Sequence, residues 1–152
     1  MENNISFELK TYDELEKHEL YALLQLRAEV FVVEQDCPYQ DVDGKDDKAL
    51  HVLGYKDQEL VAYTRIFKAG AYFNHTSIGR VVVKKEQRAY GYGKRLMQYS
   101  IAVASDKDTL IIEISAQEYL RRFYNELGFK QVGSGYLEDN IPHIRMIRQV
   151  IE

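Results

Sequence analysis

The apolar residues of this chain fall into short blocks, and their spacing changes along its length. Ile5-Ser6-Phe7-Glu8-Leu9 alternates apolar and polar positions, the two-residue period of a half-buried strand. Leu20, Leu23, Leu24, Val30 and Phe31 then recur at helical spacing, with Thr11 or Asp13 placed to cap the helix, before a loop around Cys37-Pro38. Asp36 to Lys48 is polar and turn-rich. Leu50 to Tyr55 and Leu60 to Phe67, separated by Lys56-Asp57-Gln58, predict a hairpin, and Ile78 to Val83 reads as a strand rich in β-branched residues. A glycine-containing loop then leads into a helix from about Lys94 to Ser105, with Met97, Ile101 and Ala104 on one face. Leu110 to Ile114 reads as a buried strand. Leu120, Phe123, Tyr124 and Leu127 mark a further amphipathic helix, stopped by Gly128 with Phe129 behind it. Phe129 to Val132 and Ile144 to Val150 are the last strand candidates. Hairpin-linked strands followed by strand-helix-strand-helix-strand predict an α+β or α/β domain with a mixed sheet.

Length and composition narrow the class. The 152 residues suit one domain, 1–152, and 45% hydrophobic with 29% charged residues is ordinary for a globular chain with a real core. The apolar runs are too short for a membrane span, and Met1-Glu2-Asn3-Asn4 opens no secretory signal, so the expectation is a cytoplasmic protein without a membrane partner. Cys37 is the only cysteine, which excludes an internal disulfide and a cysteine-based zinc site, and no metal is expected. Asp41-Val42-Asp43-Gly44 is not a calcium loop, because its glycine comes too early and Val52 stands where the bidentate Glu belongs. A net charge of −4 argues against nucleic acid.

That average conceals a local excess. Lys84, Lys85, Arg88, Lys94 and Arg95 against Glu86 give +4 between Lys84 and Arg95 and leave −8 elsewhere. The excess surrounds Arg88-Ala89-Tyr90-Gly91-Tyr92-Gly93, between a predicted strand and a predicted helix, where backbone N–H groups can point at an anion. The spelling fits neither a dinucleotide fingerprint, which needs glycine at Leu96, nor a P-loop, which needs Ser or Thr at Arg95.

Arg88 to Gly93, following a strand and opening a helix, resembles the Arg/Gln-x-x-Gly-x-Gly/Ala signature of the GNAT superfamily of N-acetyltransferases. The resemblance continues in Val83 to Arg88, and in Phe123-Tyr124 followed by Gly128-Phe129. Leu26 to Gln35 with Cys37-Pro38-Tyr39-Gln40, and Tyr136 to Asp139 with Ile141 to Ile144, are similar to the ElaA-like branch. It implies a mixed, splayed central sheet of about six to seven strands flanked by about four helices. It also implies acetyl-CoA as co-substrate, its pyrophosphate on Arg88, Ala89, Tyr90, Gly91, Tyr92, Gly93 and Lys94, and its pantetheine arm along Val81, Val82 and Val83. Gln117 stands where many members carry Asn, a position from which an amide bonds the pantetheine.

Acetyl transfer to an amine needs a neutral nucleophile, a donor to the developing oxyanion and a proton for the leaving thiolate. The motif match makes Tyr124 the candidate general acid, since a phenol stays protonated at neutral pH; packing alone would also place it beside Leu120 and Phe123. Glu34, Glu113, His143 and His51 are candidate bases, with structural roles open for both histidines. The ElaA-like resemblance puts Arg27, Phe31, Glu34, Gln35, Tyr39 and His143 on the acceptor side. Arg27 falls on an apolar register, which suits a buried ion pair or a ligand carboxylate. Glu34, Asp36, Asp41, Asp43, Asp46 and Asp47 make either an acidic mouth for a cationic amine or a solvated loop. The resulting expectation is an N-acetyltransferase acting on a small-molecule or peptide primary amine by direct attack in a ternary complex, with a homodimer as one quaternary arrangement. The alternatives are a non-catalytic acyl-CoA-binding module and a protein-interaction domain.

Overall fold

The structure is a computed structural model and describes residues 4–150. Eight strands share one mixed sheet. β1 (Ser6–Thr11), β2 (Leu50–Lys56), β3 (Glu59–Phe67) and β4 (Thr76–Val83) run antiparallel in succession, and β5 (Ile111–Gln117) lies parallel to β4. The short strands β6 (Lys130–Gln131) and β7 (Tyr136–Glu138) both pair with β8 (Ile141–Gln149), which is antiparallel to β5. The helices are α1 (Lys17–Arg27), α2 (Tyr92–Ala104) and α3 (Arg121–Asn125).

The α+β class and the mixed sheet agree with the sequence pattern, with one strand more and one helix fewer than the expected counts. β7 is the strand without a periodic signal, because its three residues are all exposed. The two-residue turn that joins it to β8, Asp139 (φ 51°) and Asn140 (φ 64°), has the double positive φ of a tight hairpin turn. Asp57 (φ 51°) and Gln58 (φ 67°) make the β2–β3 turn the same way.

Leu60 to Phe67 is buried throughout, because helices cover both faces of β3. On one face Leu96, Met97, Ile101 and Ala104 of α2 pack on Val52, Ile78, Ile112 and Ile114. On the other, Leu23 and Leu26 of α1, with Val30, pack on Leu53, Tyr63 and Val82. Fully buried residues such as Leu23 and Leu96 each contribute on the order of 2 kcal/mol of hydrophobic stabilisation. Among the described residues no helix is long and apolar enough to cross a membrane.

α1 starts later than expected. A reciprocal capping box between Glu16 and Glu19, rather than Thr11 or Asp13, supplies partners for its first N–H groups. After Arg27 the helical segment widens into a π-helix over Ala28–Glu34, with Gln35 N–H bonding Val30 C=O and Cys37 N–H bonding Val32 C=O. Each wide turn takes an extra residue, so positions past Arg27 rotate away from the α-helical register.

Candidate active site

β4 and β5 pair only at Thr76 with Ile112 and Ser77 with Glu113; beyond these residues the strands part. From Ile78 to Val83 the edge of β4 that faces β5 has no strand partner, whereas its other edge stays paired with β3. β4 carries one residue more than β3 between Val82 and Gly79, and Arg80 takes a left-handed φ of 51° at this bulge. Between the parted strands lies a cleft of about 630 Å³, within the size range of small-molecule sites. Backbone groups on a free strand edge accept an amide-bearing ligand as an added strand would be accepted.

Val81, Val82 and Val83 line this cleft, as do Arg88, Ala89, Gly91, Tyr92, Gly93 and Lys94. Ala89 (φ 77°) and Gly91 (φ 78°) are both left-handed, and Gly91 is the N-cap of α2. A Cβ on Gly91 would meet nothing within 4 Å, so the space above the helix N-terminus is open. Of the five basic residues near the loop, Arg88 and Lys94 line the cleft, Lys84 pairs with Glu29 at 3.3 Å, Arg95 donates to the Ile5 carbonyl, and Lys85 lies outside the cleft lining. Tyr90 is not among the lining residues; its ring lies 4.8 Å from Lys56 Nζ, a cation–π contact on the outer side of the loop.

The end of the π-helix reaches both walls. Glu34 accepts two bonds from Arg88, at 2.5 and 2.9 Å, and Arg88 Nε donates to the Val83 carbonyl at 3.0 Å. The bond from Arg88 holds the Glu34 carboxyl below its ordinary range. Gln35 and Gln117 exchange reciprocal amide bonds of 3.3 and 3.2 Å. Phe31 and Tyr39 complete this wall, and burial pushes the Tyr39 hydroxyl up to about 12.

Tyr124, on α3, is 5% exposed and lines the cleft, with its ring edge-on to Phe123 and Phe129. Its hydroxyl makes no hydrogen bond among the described residues, and burial raises its pKa, so it stays protonated at all ordinary pH. His143 enters from β8. Its Nδ1 lies 2.7 Å from the Ile141 carbonyl, a geometry in which Nδ1 donates, and its Nε2 lies 3.9 Å from Glu138. Tyr136 stacks on the imidazole and shares Ser115 Oγ with Glu138.

Several residues singled out in the sequence lie elsewhere. Arg27 does not reach the cleft: its side chain is fully buried, bonded to Asp41 at 2.8 Å and Asp46 at 2.7 Å. Asp46 also accepts from Arg65 at 3.0 Å, Arg65 binds Asp43 at 2.9 Å, and Arg80 binds Asp41 at 2.8 Å. Three arginines thus face three aspartates, and the acidic stretch is largely neutralised rather than an open anionic mouth. Burial alone would raise the Asp43 carboxyl, but Arg65 holds it down at about 2. His51 is buried with Nε2 on the Asp46 carbonyl at 2.9 Å, and desolvation lowers its pKa, a structural placement. Glu113 is outside the cleft lining and paired with Arg145 at 2.8 Å.

The sequence reading missed Arg65, Phe67, Ser77 and Gly79, which also line the cleft. Cross-strand register puts Arg65 beside Gly79 and Phe67 beside Ser77 on one sheet face, a pairing that single-strand alternation does not disclose. Ser115 and Glu138 also line the cleft, brought there by β5 and by the hairpin of β7.

A sheet that parts at its parallel junction, a glycine loop opening a helix beside the gap and a buried tyrosine across it define an acyltransferase architecture. Residues 10–150 match the Acetyltransferase (GNAT) domain, and the chain belongs to that family. Protein ElaA of Escherichia coli K12 is 45% identical over 147 residues, covering 93% of this chain and 94% of ElaA. The crystal structure of E. coli ElaA superposes with a TM-score of 0.88 at 42% identity, over 95% of this chain and 99% of that one. An acyl-CoA N-acyltransferase from Pseudomonas aeruginosa gives 0.89 at 42% identity over the same shares. An aminoglycoside 6′-N-acetyltransferase solved with coenzyme A shares the fold, at TM-score 0.73 and 17% identity, over 95% of this chain and 98% of that chain.

Proposed function

We propose that this protein is an acetyl-CoA-dependent N-acetyltransferase that transfers an acetyl group to a primary amine by direct attack in a ternary complex. The observation that carries the reading is the parting of β4 and β5 where the glycine loop and Tyr124 converge on one cleft. The name of the P. aeruginosa relative, an acyl-CoA N-acyltransferase, supports the same class of donor. The free edge of β4 suits the amides of a pantetheine arm, and Arg88, Lys94 and the N-terminal N–H groups of α2 suit a pyrophosphate.

His143 is the base this reading favours. With the proton of the neutral ring on Nδ1, Nε2 carries the lone pair that can accept a proton, and Glu138 lies 3.9 Å from it. Glu113 is paired with Arg145 outside the cleft lining, and Glu34 lies on the glycine-loop side of the cleft, bonded to Arg88. His143 accepts a proton from the acceptor ammonium, the amine nitrogen bonds to the thioester carbonyl carbon, and the carbon–sulfur bond breaks with its electron pair on sulfur. Tyr124, kept protonated by burial, donates a hydrogen bond to the departing thiolate, and as its proton passes to sulfur the second proton of the amide nitrogen returns to the phenol oxygen, leaving a neutral amide, a thiol and an intact tyrosine. The test mixes the protein with acetyl-CoA and a panel of primary amines and follows free thiol. Amine-dependent release is expected. CoA binding without release would point to a binding module, and no CoA binding would refute the reading.

A further inference from the structure

Two adjacent residues, Glu34 and Gln35, close the gap between β4 and β5 by occupying polar groups on both of its walls. Glu34 is the carboxylate partner of Arg88 in the glycine loop, and Gln35 is the amide partner of Gln117 at the end of β5. Each partner is a group that the proposed function assigns to the acyl donor. A carboxylate on Arg88 stands in the electrostatic position of a phosphate, and an amide on Gln117 stands in the position of a pantetheine amide. The pattern is not a generic surface contact, because Arg88 is also bonded through Nε to the Val83 carbonyl on the free edge of β4.

We propose that Glu34 and Gln35 form an internal surrogate for the cofactor, which the donor must displace, Glu34 competing with a pyrophosphate for Arg88 and Gln35 with a pantetheine amide for Gln117. The inference rests on the acyl-CoA reading and adds an intramolecular competitor to it. The physical reason lies in charge. Arg88 exchanges the single carboxylate of Glu34 for a pyrophosphate with more charge and more acceptor oxygens, so that exchange runs forward. A donor that ends at pantetheine offers no anion, cannot take Arg88 from Glu34, and competes only for Gln117. The π-helix makes the arrangement possible, because its wide turns bring positions 34 and 35 to the cleft together.

The test measures binding of CoA by calorimetry and of pantetheine by NMR titration to the full chain and to Glu34→Gln, Gln35→Ala, Arg88→Ala and the Glu34→Gln/Arg88→Ala pair. Glu34→Gln removes the competing charge and tightens CoA by about threefold to fivefold, the worth of one partly exposed ion pair, while leaving pantetheine unchanged. Gln35→Ala tightens both ligands by about twofold to threefold, because both carry amides. Arg88→Ala weakens CoA and abolishes the gain from Glu34→Gln in the double variant. Weaker or unchanged CoA binding in Glu34→Gln, or an equal gain for pantetheine, overturns the surrogate while leaving the acyl-CoA reading standing. Failure of every variant and of the parent to bind CoA overturns both. Glu34→Ala, checked by circular dichroism, repeats the charge removal if the glutamine variant folds poorly.

Discussion

Replacing Asp46 by Asn removes one negative charge from the buried cluster of three arginines and three aspartates without changing side-chain size. Asp46 is 7% exposed and accepts from Arg27 at 2.7 Å and Arg65 at 3.0 Å, and both arginines are fully buried. The cluster goes from electrically neutral to an uncompensated buried positive charge. Breaking a buried pair from one side costs about 3–5 kcal/mol, and the lower end applies here because Arg27 keeps Asp41 and Arg65 keeps Asp43. For a chain of 152 residues a loss of about 3 kcal/mol lowers the thermal midpoint by roughly 6–12 °C. Urea unfolding followed by circular dichroism reads the change, with Asp47→Asn, an exposed neighbour of identical chemistry, as the control expected within about 0.5 kcal/mol of the parent. Combining Asp46→Asn with Arg27→Met should recover part of the loss, because the excess charge leaves with its partner. An Asp46→Asn protein within about 1 kcal/mol of the parent would refute the argument and mean that water already screens the cluster.

Tyr124→Phe should bind CoA as the parent does and lower amine-dependent thiol release by about a hundredfold, because it deletes only the proton donor; full activity in the kinetic assay removes Tyr124 from that role. Gly91→Val forces a β-branched residue into φ 78° and fills the open space above α2, so CoA affinity should fall by about tenfold or more, with a stability cost of about 1–2 kcal/mol. Gly93→Ala is the contrast: its Cβ would meet Phe123 at 3.7 Å and Val83 at 4.0 Å, ordinary contacts, so calorimetry should give affinity within about twofold of the parent. Asp43 titrates lower in the folded than in the unfolded chain, so its contribution is present above the unfolded value near 4 and is lost as pH falls towards 2. That contribution is about 2 kcal/mol, and Asp43→Asn should flatten the stability profile between about pH 5 and 2 while lowering stability at neutral pH; an unchanged profile would show that Arg65 does not hold the carboxyl.

What was legible in the sequence was written in local periodicity and in one contiguous motif. The β2–β3 hairpin, the β-branched strand that became β4, the amphipathic α2 and the glycine stop at Gly128 all follow from spacing between near neighbours. The loop from Arg88 to Gly93 was legible because its parts are consecutive, and its +4 local charge needs no fold to count. The helix after Arg27 was harder, because a π-helix leaves the apolar residues at helical spacing while rotating them, and periodicity does not separate the two.

The tertiary structure decided how distant charges are paired. The run from Glu34 to Asp47 has the same composition whether it is an open acidic mouth or a neutralised wall, and only packing against Arg27, Arg65 and Arg80, as far as 39 residues away, makes it the second. His51 and His143 are indistinguishable as letters, but one is sealed against Tyr63 and the Asp46 carbonyl while the other opens onto the cleft beside Glu138. The splay was implied by the family resemblance and not by local periodicity, and the fold sets where the pairing of the two strands ends, after Ser77 and Glu113. Local steric and hydrophobic preferences act over a few residues and are carried by sequence order. Desolvation and charge compensation act through space, so the folded chain alone decides which ionisable groups remain free to bind a ligand or move a proton.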